Sequence, residues 1–484
     1  MISVDAPTNM PPRNFEPVIH RRDFLKRASA GFATSALAAP APRLNIVQIL
    51  IDDMGYADLG CFGGEIQTPN IDRIAAKGVR FTQAYVASPV CSPSRVGITT
   101  GQFPARQGIH SYLDTRQRQR ELGQRDFLDA RAPCIARAFQ KAGYATGHFG
   151  KWHMGGGRDV GDAPLPTEYG FDESYTSFEG LGDRVLPPGK LSELNEKLGR
   201  GRIAHAPQSE LTGIYVDHSV DFIQRSVAAR KPFYLHLWPN EVHDPFEPKP
   251  ELLKKYERFA ANKYVQQYYA MLDNLDQQIG RLVDTIERMG QADNTLFVVL
   301  SDNGPTAWPY YYKEKLNPPG STAGLRGRKW SLYEGGIRTP LIVRWDNRIP
   351  AGKTDSTTVA SSVDFFPTCC ALAGVAPPSG ANLDGVNLSK AFLGQPMDRR
   401  KDLLWDYGRS PSMIRPGLPH DQSPNLAIRS GPWKLLVNGD GSNLELYDFR
   451  RSEKEEEDVA AANPAVARQL SGKLLDWRRS LTSI

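Results

Sequence analysis

The chain has 484 residues, 40% of them apolar, enough to bury a large core; the length fits one large domain with a smaller one appended. Its net charge of +5 carries no nucleic-acid-binding signature. Five cysteines, an odd number at no metal-ligand spacing, point to neither a disulfide framework nor a zinc cluster.

Residues 1–41 contain five basic and three acidic residues and read as an export signal. Arg21-Arg22-Asp23-Phe24-Leu25-Lys26 forms a twin-arginine pattern, the small apolar run 28–39 follows, and Ala36-Leu37-Ala38 offers a cleavage site. His20 departs from the Ser or Thr that often precedes the arginines. The run is too short and alanine-rich to span a bilayer, so the expected product is periplasmic or secreted, without stable membrane insertion.

Asn45-Ile46-Val47-Gln48-Ile49-Leu50-Ile51 is a nearly continuous β-branched run, the pattern of a strand buried on both faces of a parallel sheet, and it ends in Asp52-Asp53. Ser92 as cap and Pro93 at the first helical position predict a helix from just after Cys91 toward Gly101. Its N–H groups then face any anion beside residue 91, and Arg95, one turn in, reaches back toward that residue. An extended stretch ending at 153 sets Lys151 and His153 on one face. A second buried strand covers 232–237. Leu272, Leu275, Ile279, Leu282, Ile286 and Met289 recur at helical spacing until Gly290, and Thr295-Leu296-Phe297-Val298-Val299-Leu300 is a third buried strand, ending in Asp302-Asn303. Residues 305–327 form a long loop rich in Pro, Gly and Tyr. Cys369 and Cys370 sit in an apolar helical stretch as buried hydrophobes. From about residue 400 the pattern changes. Residues 426–429 and 433–437 alternate as hairpin strands, the acidic run 455–458 reads as a solvated turn or helix start, and a closing helix spans 464–479.

Strands alternating with helices predict an α/β fold: a large mixed, mostly parallel sheet flanked by helices, with a smaller C-terminal α+β subdomain carrying an antiparallel sheet and the closing helix. The boundaries fall at 1–41, 42–395 and 396–484. Sites in such sheets form beyond the carboxyl ends of strands, where both acidic pairs lie. Asp52, Asp53, Asp302 and Asn303 offer three carboxylates and one amide, the oxygen donors of a hard cation: calcium, with magnesium as the alternative.

Cys91-Ser92-Pro93-Ser94-Arg95, with Gly101 and Pro104, resembles the first signature of type I sulfatases of the alkaline-phosphatase superfamily, in which the cysteine becomes Cα-formylglycine. Thr99 departs from it, since a bulky apolar residue is usual there. Gly143-Tyr144-Ala145-Thr146-Gly147-His148-Phe149-Gly150-Lys151-Trp152-His153 resembles the second signature, with Phe149 in place of a smaller residue. Asn240-Glu241-Val242-His243-Asp244-Pro245-Phe246 and Gly327-Arg328-Lys329 resemble the family's histidine and lysine segments.

The resemblance implies sulfate ester hydrolysis by the hydrated aldehyde at residue 91, which a formylglycine-installing enzyme would supply. Lys151 would hydrogen-bond that residue, and His153 would take a proton from its second hydroxyl. His243 would contact sulfate and protonate the departing alkoxide, and Lys329 would stabilise charge on sulfate; Cys91, once modified, would join the metal ligands. The expected substrate is sulfated carbohydrate, such as a polysaccharide or glycosaminoglycan fragment. Candidate specificity residues are Arg158 and Asp159 in segment 155–182, His205, and Trp308, Tyr310, Tyr311 and Tyr312. The alternatives are a formylglycine-dependent phosphonate or phosphodiester hydrolase, and an inactive carbohydrate-binding homologue.

Overall fold

The computed structural model describes residues 43–189 and 193–481; the export signal read in 1–41 lies outside them. The run Asn45–Ile51 forms the expected strand, buried along its whole length. Ile46 and Leu50 enter the core on one face of the sheet, whereas Val47, Ile49 and Ile51 enter the core on the other. Alternate side chains of a strand point to opposite faces, so a strand apolar at nearly every position satisfies two helical layers at once.

Ten strands make the main sheet, in the order Lys353–Asp355, Val79–Phe81, Leu341–Arg344, Thr295–Ser301, Asn45–Ile51, Phe233–Trp238, Ala145–Lys151, Glu173–Ser177, Arg184–Leu186 and Ile203–His205. Leu341–Arg344 runs antiparallel to both neighbours, and every other pairing is parallel. Helices Pro69–Ala76, Gln208–Ala228 and Lys263–Arg288 cover one face. Helices Ile135–Lys141 and Phe365–Ala373 cover the other, where Cys369 and Cys370 are buried free thiols as expected.

The sequence pattern undershoots the long helix, which starts at Lys263 because Asn262 caps it by accepting from the N–H groups of Tyr264 and Val265. Within the 305–327 loop a short helix, Pro309–Lys313, begins with proline at its first position.

A separate antiparallel sheet orders Leu403–Asp406, Leu426–Ser430, Trp433–Val437 and Glu445–Asp448. The closing helix, Pro464–Ser480, packs Leu470 and Leu474 on one face, against Ile428, Leu435 and Leu446. The other face, with Trp405, Ala427 and Leu436, shares a core with Cys91 and Trp330. The acidic run does not start a helix and is not fully solvated. Glu455 is buried, and Lys434 Nζ lies 2.7 Å from Glu455 and 2.9 Å from Glu334, a charge arrangement that ties this sheet to the main body.

Candidate active site

Parallel pairing puts Ile51 level with Ser301, so the chain leaves both strands at the same height and the two acidic pairs meet. The Asp302 N–H donates to the Ile51 carbonyl, and the Asp53 N–H donates to Asp302 Oδ1 at 3.1 Å. Asp53 adopts a left-handed φ of 58°, which turns its carboxylate back over the sheet edge. Asn303 Nδ2 donates to Asp53 Oδ1 at 2.7 Å. Asp52, Asp53, Asp302 and Asn303 are fully buried.

Cys91 opens the helix Cys91–Thr100, with Val90 as the extended residue before it and Gly101 closing it at φ 66°. The helix therefore starts earlier than the Ser-Pro pair predicts. Ser92 is no cap; its Oγ instead accepts the Leu113 N–H. Pro93 has no N–H and the Ser94 N–H donates to the Val90 carbonyl, so only the N–H groups of Cys91 and Ser92 remain for an anion beside residue 91. Arg95 lies one turn in, wholly buried, but its guanidinium reaches the acidic cluster. Nη2 is 2.7 Å from Asp302 and 3.3 Å from Asp52, while Nη1 donates to the Lys151 carbonyl. Lys151 Nζ donates to Asp52 Oδ2 at 2.6 Å, and Lys329 Nζ donates to both oxygens of Asp53 at 2.6 and 2.5 Å. Three buried carboxylates thus face three buried cations.

Lys151 and His153 do not share an extended face. The strand ends at Lys151, and His153 takes a left-handed φ of 52°. That turn brings its ring to the site, where Nε2 donates to the Leu113 carbonyl at 3.1 Å and Nδ1 is buried without a partner. His243 donates Nδ1–H to the Asp244 carbonyl at 2.6 Å, leaving Nε2 facing Lys329 at 3.3 Å and Asp53 at 3.7 Å.

Burial alone would push Asp52 up, but Lys151, His243, Arg95 and Lys329 outweigh it and hold the carboxyl well below its usual range. Burial and the Asp52 charge push Asp302 up to about 7. Burial, with Lys151 next in weight, lowers both His153 and His243, so both rings are neutral. Burial also pushes the Cys91 thiol up to about 12. Single ligand atoms of Asp52, Asp53, Cys91 and His243 lie within 4.8 Å of one another, a group able to hold a metal ion. Cys91, His153, His243 and Lys329 line one cavity of about 210 Å³.

A sulfatase profile matches residues 44–375. The chain belongs to the sulfatase family. A second profile, described as N-sulphoglucosamine sulphohydrolase, C-terminal, matches residues 327–480. N-acetylgalactosamine-6-sulfatase of Canis lupus familiaris is 32% identical over 74% of this sulfatase and 67% of its own length. N-acetylgalactosamine-6-O-sulfatase of Bacteroides thetaiotaomicron is 28% identical over 88% and 91%. The crystal structure of Ps i-CgsB, solved also in complex with k-i-k-neocarrahexaose, is 29% identical with a TM-score of 0.74, covering 91% of this sulfatase and 94% of that chain. This sulfatase is a sulfuric ester hydrolase.

Of the residues picked for specificity, Arg158 and Trp308 line the cavity with Cys91. Asp159 instead accepts the Arg116 N–H, and His205 is exposed on the last strand of the sheet. Tyr310 and Tyr311 both donate to Asp244 Oδ1, and Tyr312 lines a separate groove beside Arg328. Phe178, within the 155–182 segment, also lines the cavity, whereas Tyr112, Asp114 and Ile414, brought there from two other segments, lie outside the segments singled out in the sequence. No local pattern marks them. Trp330 was within reach, being next to Lys329.

Glu241, in the segment that carries His243, is buried and accepts a hydrogen bond from Asn274 on the long helix. Burial pushes it up to about 8, against hydrogen bonds and a lysine charge that oppose the shift. A carboxyl raised in the folded state holds a proton that the unfolded chain releases above its ordinary value of 4.5, so it erodes stability as pH rises from there through 8. Glu241→Gln is therefore expected to be more stable than the wild type at pH 9 by about 1–3 kcal/mol, with the gap closing toward pH 5. Urea titrations at the two pH values check this; a gap independent of pH contradicts it.

Proposed function

We propose that this sulfatase hydrolyses sulfate esters of carbohydrate, with residue 91 matured to Cα-formylglycine and a divalent cation held by Asp52, Asp53, Asp302 and Asn303. The observation that carries the proposal is Cys91 itself. It begins a buried helix and lines the cavity, yet burial pushes its thiol up to about 12, which leaves little thiolate at neutral pH. The position suits a different group.

The surrounding residues fit both additions. The donors are all oxygen, which favours calcium, with magnesium as the alternative. Asn303 Oδ1 is buried without a hydrogen-bond partner, and Asp52 Oδ1 has only the Arg95 guanidinium beside it, 3.3 Å away. A half-turn of the Asn303 amide would put that oxygen where Nδ2 now meets Asp53. Matured residue 91 would supply a hydrated aldehyde, one hydroxyl to attack sulfur and a second to release sulfate, and the bound cation would draw charge from the reacting oxygens.

The chain's own residues manage protons and charge. His153 is anchored through Nε2, so its bare Nδ1 is the atom that accepts a proton from residue 91. His243 is anchored through Nδ1, so its bare Nε2 must first take up a proton before it can protonate the leaving oxygen, and Lys329 Nζ, 3.3 Å away, is the adjacent donor. Lys329 lines the cavity, where its ammonium can hold a sulfate oxygen, and Lys151, fully buried on Asp52, adds a positive charge to the acidic cluster. Arg95 fixes Asp52 and Asp302 relative to the helix that bears residue 91.

A carbohydrate substrate is supported by the names of the relatives and by the ring wall of Tyr112, Phe178, Trp308 and Trp330 in the cavity. Export by the twin-arginine route is part of the same proposal, and no helix among the described residues is long and apolar enough to cross a membrane. The test uses protein from its native producer, with defined sulfated saccharides in labelled water. Sulfate release with label in sulfate, a formylglycine mass at residue 91, and a mature N-terminus beyond residue 38 are expected. Label in the alcohol, or no sulfate release by fully matured enzyme, overturns the reading. Faster turnover of matched phosphate or phosphonate esters would select the alternative chemistry.

A further inference from the structure

The cavity that holds the catalytic residues also contains a second charged group. Asp114 and Arg158 line the same space as Cys91, His153, His243 and Lys329. Arg158 Nη1 lies 2.5 Å from Asp114 Oδ1, and Arg158 Nε donates to Glu179 Oε1 at 2.6 Å. Glu179 is buried, with 3% of its side chain exposed, whereas Asp114 keeps 17%. Asp114 Oδ1 also accepts the Thr115 N–H at 2.7 Å, so one carboxylate oxygen is occupied and Oδ2 has no hydrogen bond among the described residues.

The backbone is shaped to hold this group. Gly155, Gly156 and Gly157 all have positive φ, and Arg158 continues the turn at φ 49°. A Cβ on Gly157 would stand 2.5 Å from Glu179 Oε2, so the chain passes directly over the carboxylate that anchors Arg158. Asp114 and Glu179 share the Arg158 guanidinium, Arg184 also faces Glu179, and the Lys329 ammonium lines the same cavity.

Resting on the sulfatase reading above, we propose that Asp114, clamped by Arg158, is the specificity residue of this site. It takes a hydrogen bond from a free hydroxyl on the same sugar ring that bears the sulfate, and it turns away rings with a second sulfate at that position. The argument is one of charge and space. A cavity of about 210 Å³ that contains both groups accommodates a single pyranose. A hydroxyl can donate to Asp114 Oδ2, but a sulfate has no proton to give and meets a carboxylate of like charge. The aromatic side wall contacts the ring faces and leaves discrimination to the polar end.

The experiment compares three substrates on the matured holoenzyme: an aryl sulfate without hydroxyls, a singly sulfated hexosamine, and the same sugar with a second sulfate. Wild-type turnover of the aryl sulfate tests the sulfatase reading by itself. The singly sulfated sugar is expected to be preferred over the doubly sulfated one by about 100-fold or more in kcat/KM. In Asp114→Ala, the ratio of kcat/KM for the singly sulfated sugar to that for the aryl sulfate is expected to fall about 10- to 100-fold. A series of singly sulfated sugars each lacking one hydroxyl should include one that wild type and variant turn over at the same ratio to the aryl sulfate. Asp114→Asn, which keeps the side-chain shape, guards against a folding defect and should lose preference in the same direction. If aryl sulfate is hydrolysed and the ratio does not move in either variant, or the doubly sulfated ring is accepted as well as the single one, Asp114 has no such role while the sulfatase reading stands.

Discussion

Cys91→Ala is expected to abolish sulfate release, a loss of at least about 10⁴-fold in kcat, with little change in the melting temperature. The loss follows from position: residue 91 lines the cavity with both histidines, and its ligand atom lies within 4.8 Å of those of Asp52, Asp53 and His243. Stability should survive because Val90 and Gly101 still delimit the helix, alanine is well tolerated at its first residue, and trimming so small a buried side chain costs about 1 kcal/mol. Cys91→Ser separates the two halves of the chemistry. A serine has a single hydroxyl, which can accept the sulfo group from substrate but offers no second hydroxyl through which to expel it. One equivalent of alcohol per enzyme, with a matching mass gain on the residue-91 peptide, is the expected result. Sustained turnover by the serine variant would show that the second hydroxyl is unnecessary. The measurements are a stopped assay of alcohol release and peptide mass spectrometry.

The strands were legible because burial on both faces leaves a plain signature: residues 45–51 and 295–301 are apolar almost throughout, and each run stops at an acid. Parallel pairing in register then brings the two acidic pairs together, so Asp52, Asp53, Asp302 and Asn303 could be gathered from the sequence alone. Turns were harder. His153 was placed on an extended face, and only the left-handed backbone at 153 shows how its ring reaches the site with Nδ1 bare. Cap chemistry misled at Ser92, whose hydroxyl serves the Leu113 N–H in a neighbouring segment rather than its own helix. Glu455 reads as solvated within an acidic run, yet its buried partner, Lys434, is on an earlier strand, Trp433–Val437. Asp114, Phe178 and Ile414 carry no local pattern, since their shared property is the cavity, which exists only after three distant segments pack.

Asp53→Ala is expected to damage both stability and catalysis, for separable reasons. Lys329 is almost fully buried, and burial by itself would drive its proton off; the Asp53 carboxylate, bonded through both oxygens, is the chief charge that keeps it on. Removing that carboxylate strands a buried ammonium, a change that costs about 3–5 kcal/mol in other proteins. Hydrolysis should fall by about 10³-fold or more, because the same deletion takes one of three carboxylates from the cation's donor set and frees Lys329 from its position beside His243. Calcium distinguishes the two effects. Wild-type enzyme at calcium one hundred times its dissociation constant should gain about 2.7 kcal/mol of stability, seen as a rise in melting temperature, and chelation should reverse it. Asp53→Ala should begin from a lower melting temperature and show a much smaller rise. An equal rise in the variant would remove Asp53 from the ligand set while leaving its partnership with Lys329 intact. Asp53→Asn refines the comparison, since it preserves volume and one oxygen but no charge: if the deficit comes from the stranded ammonium, asparagine should recover little of it, and if it comes from the missing side chain, most should return.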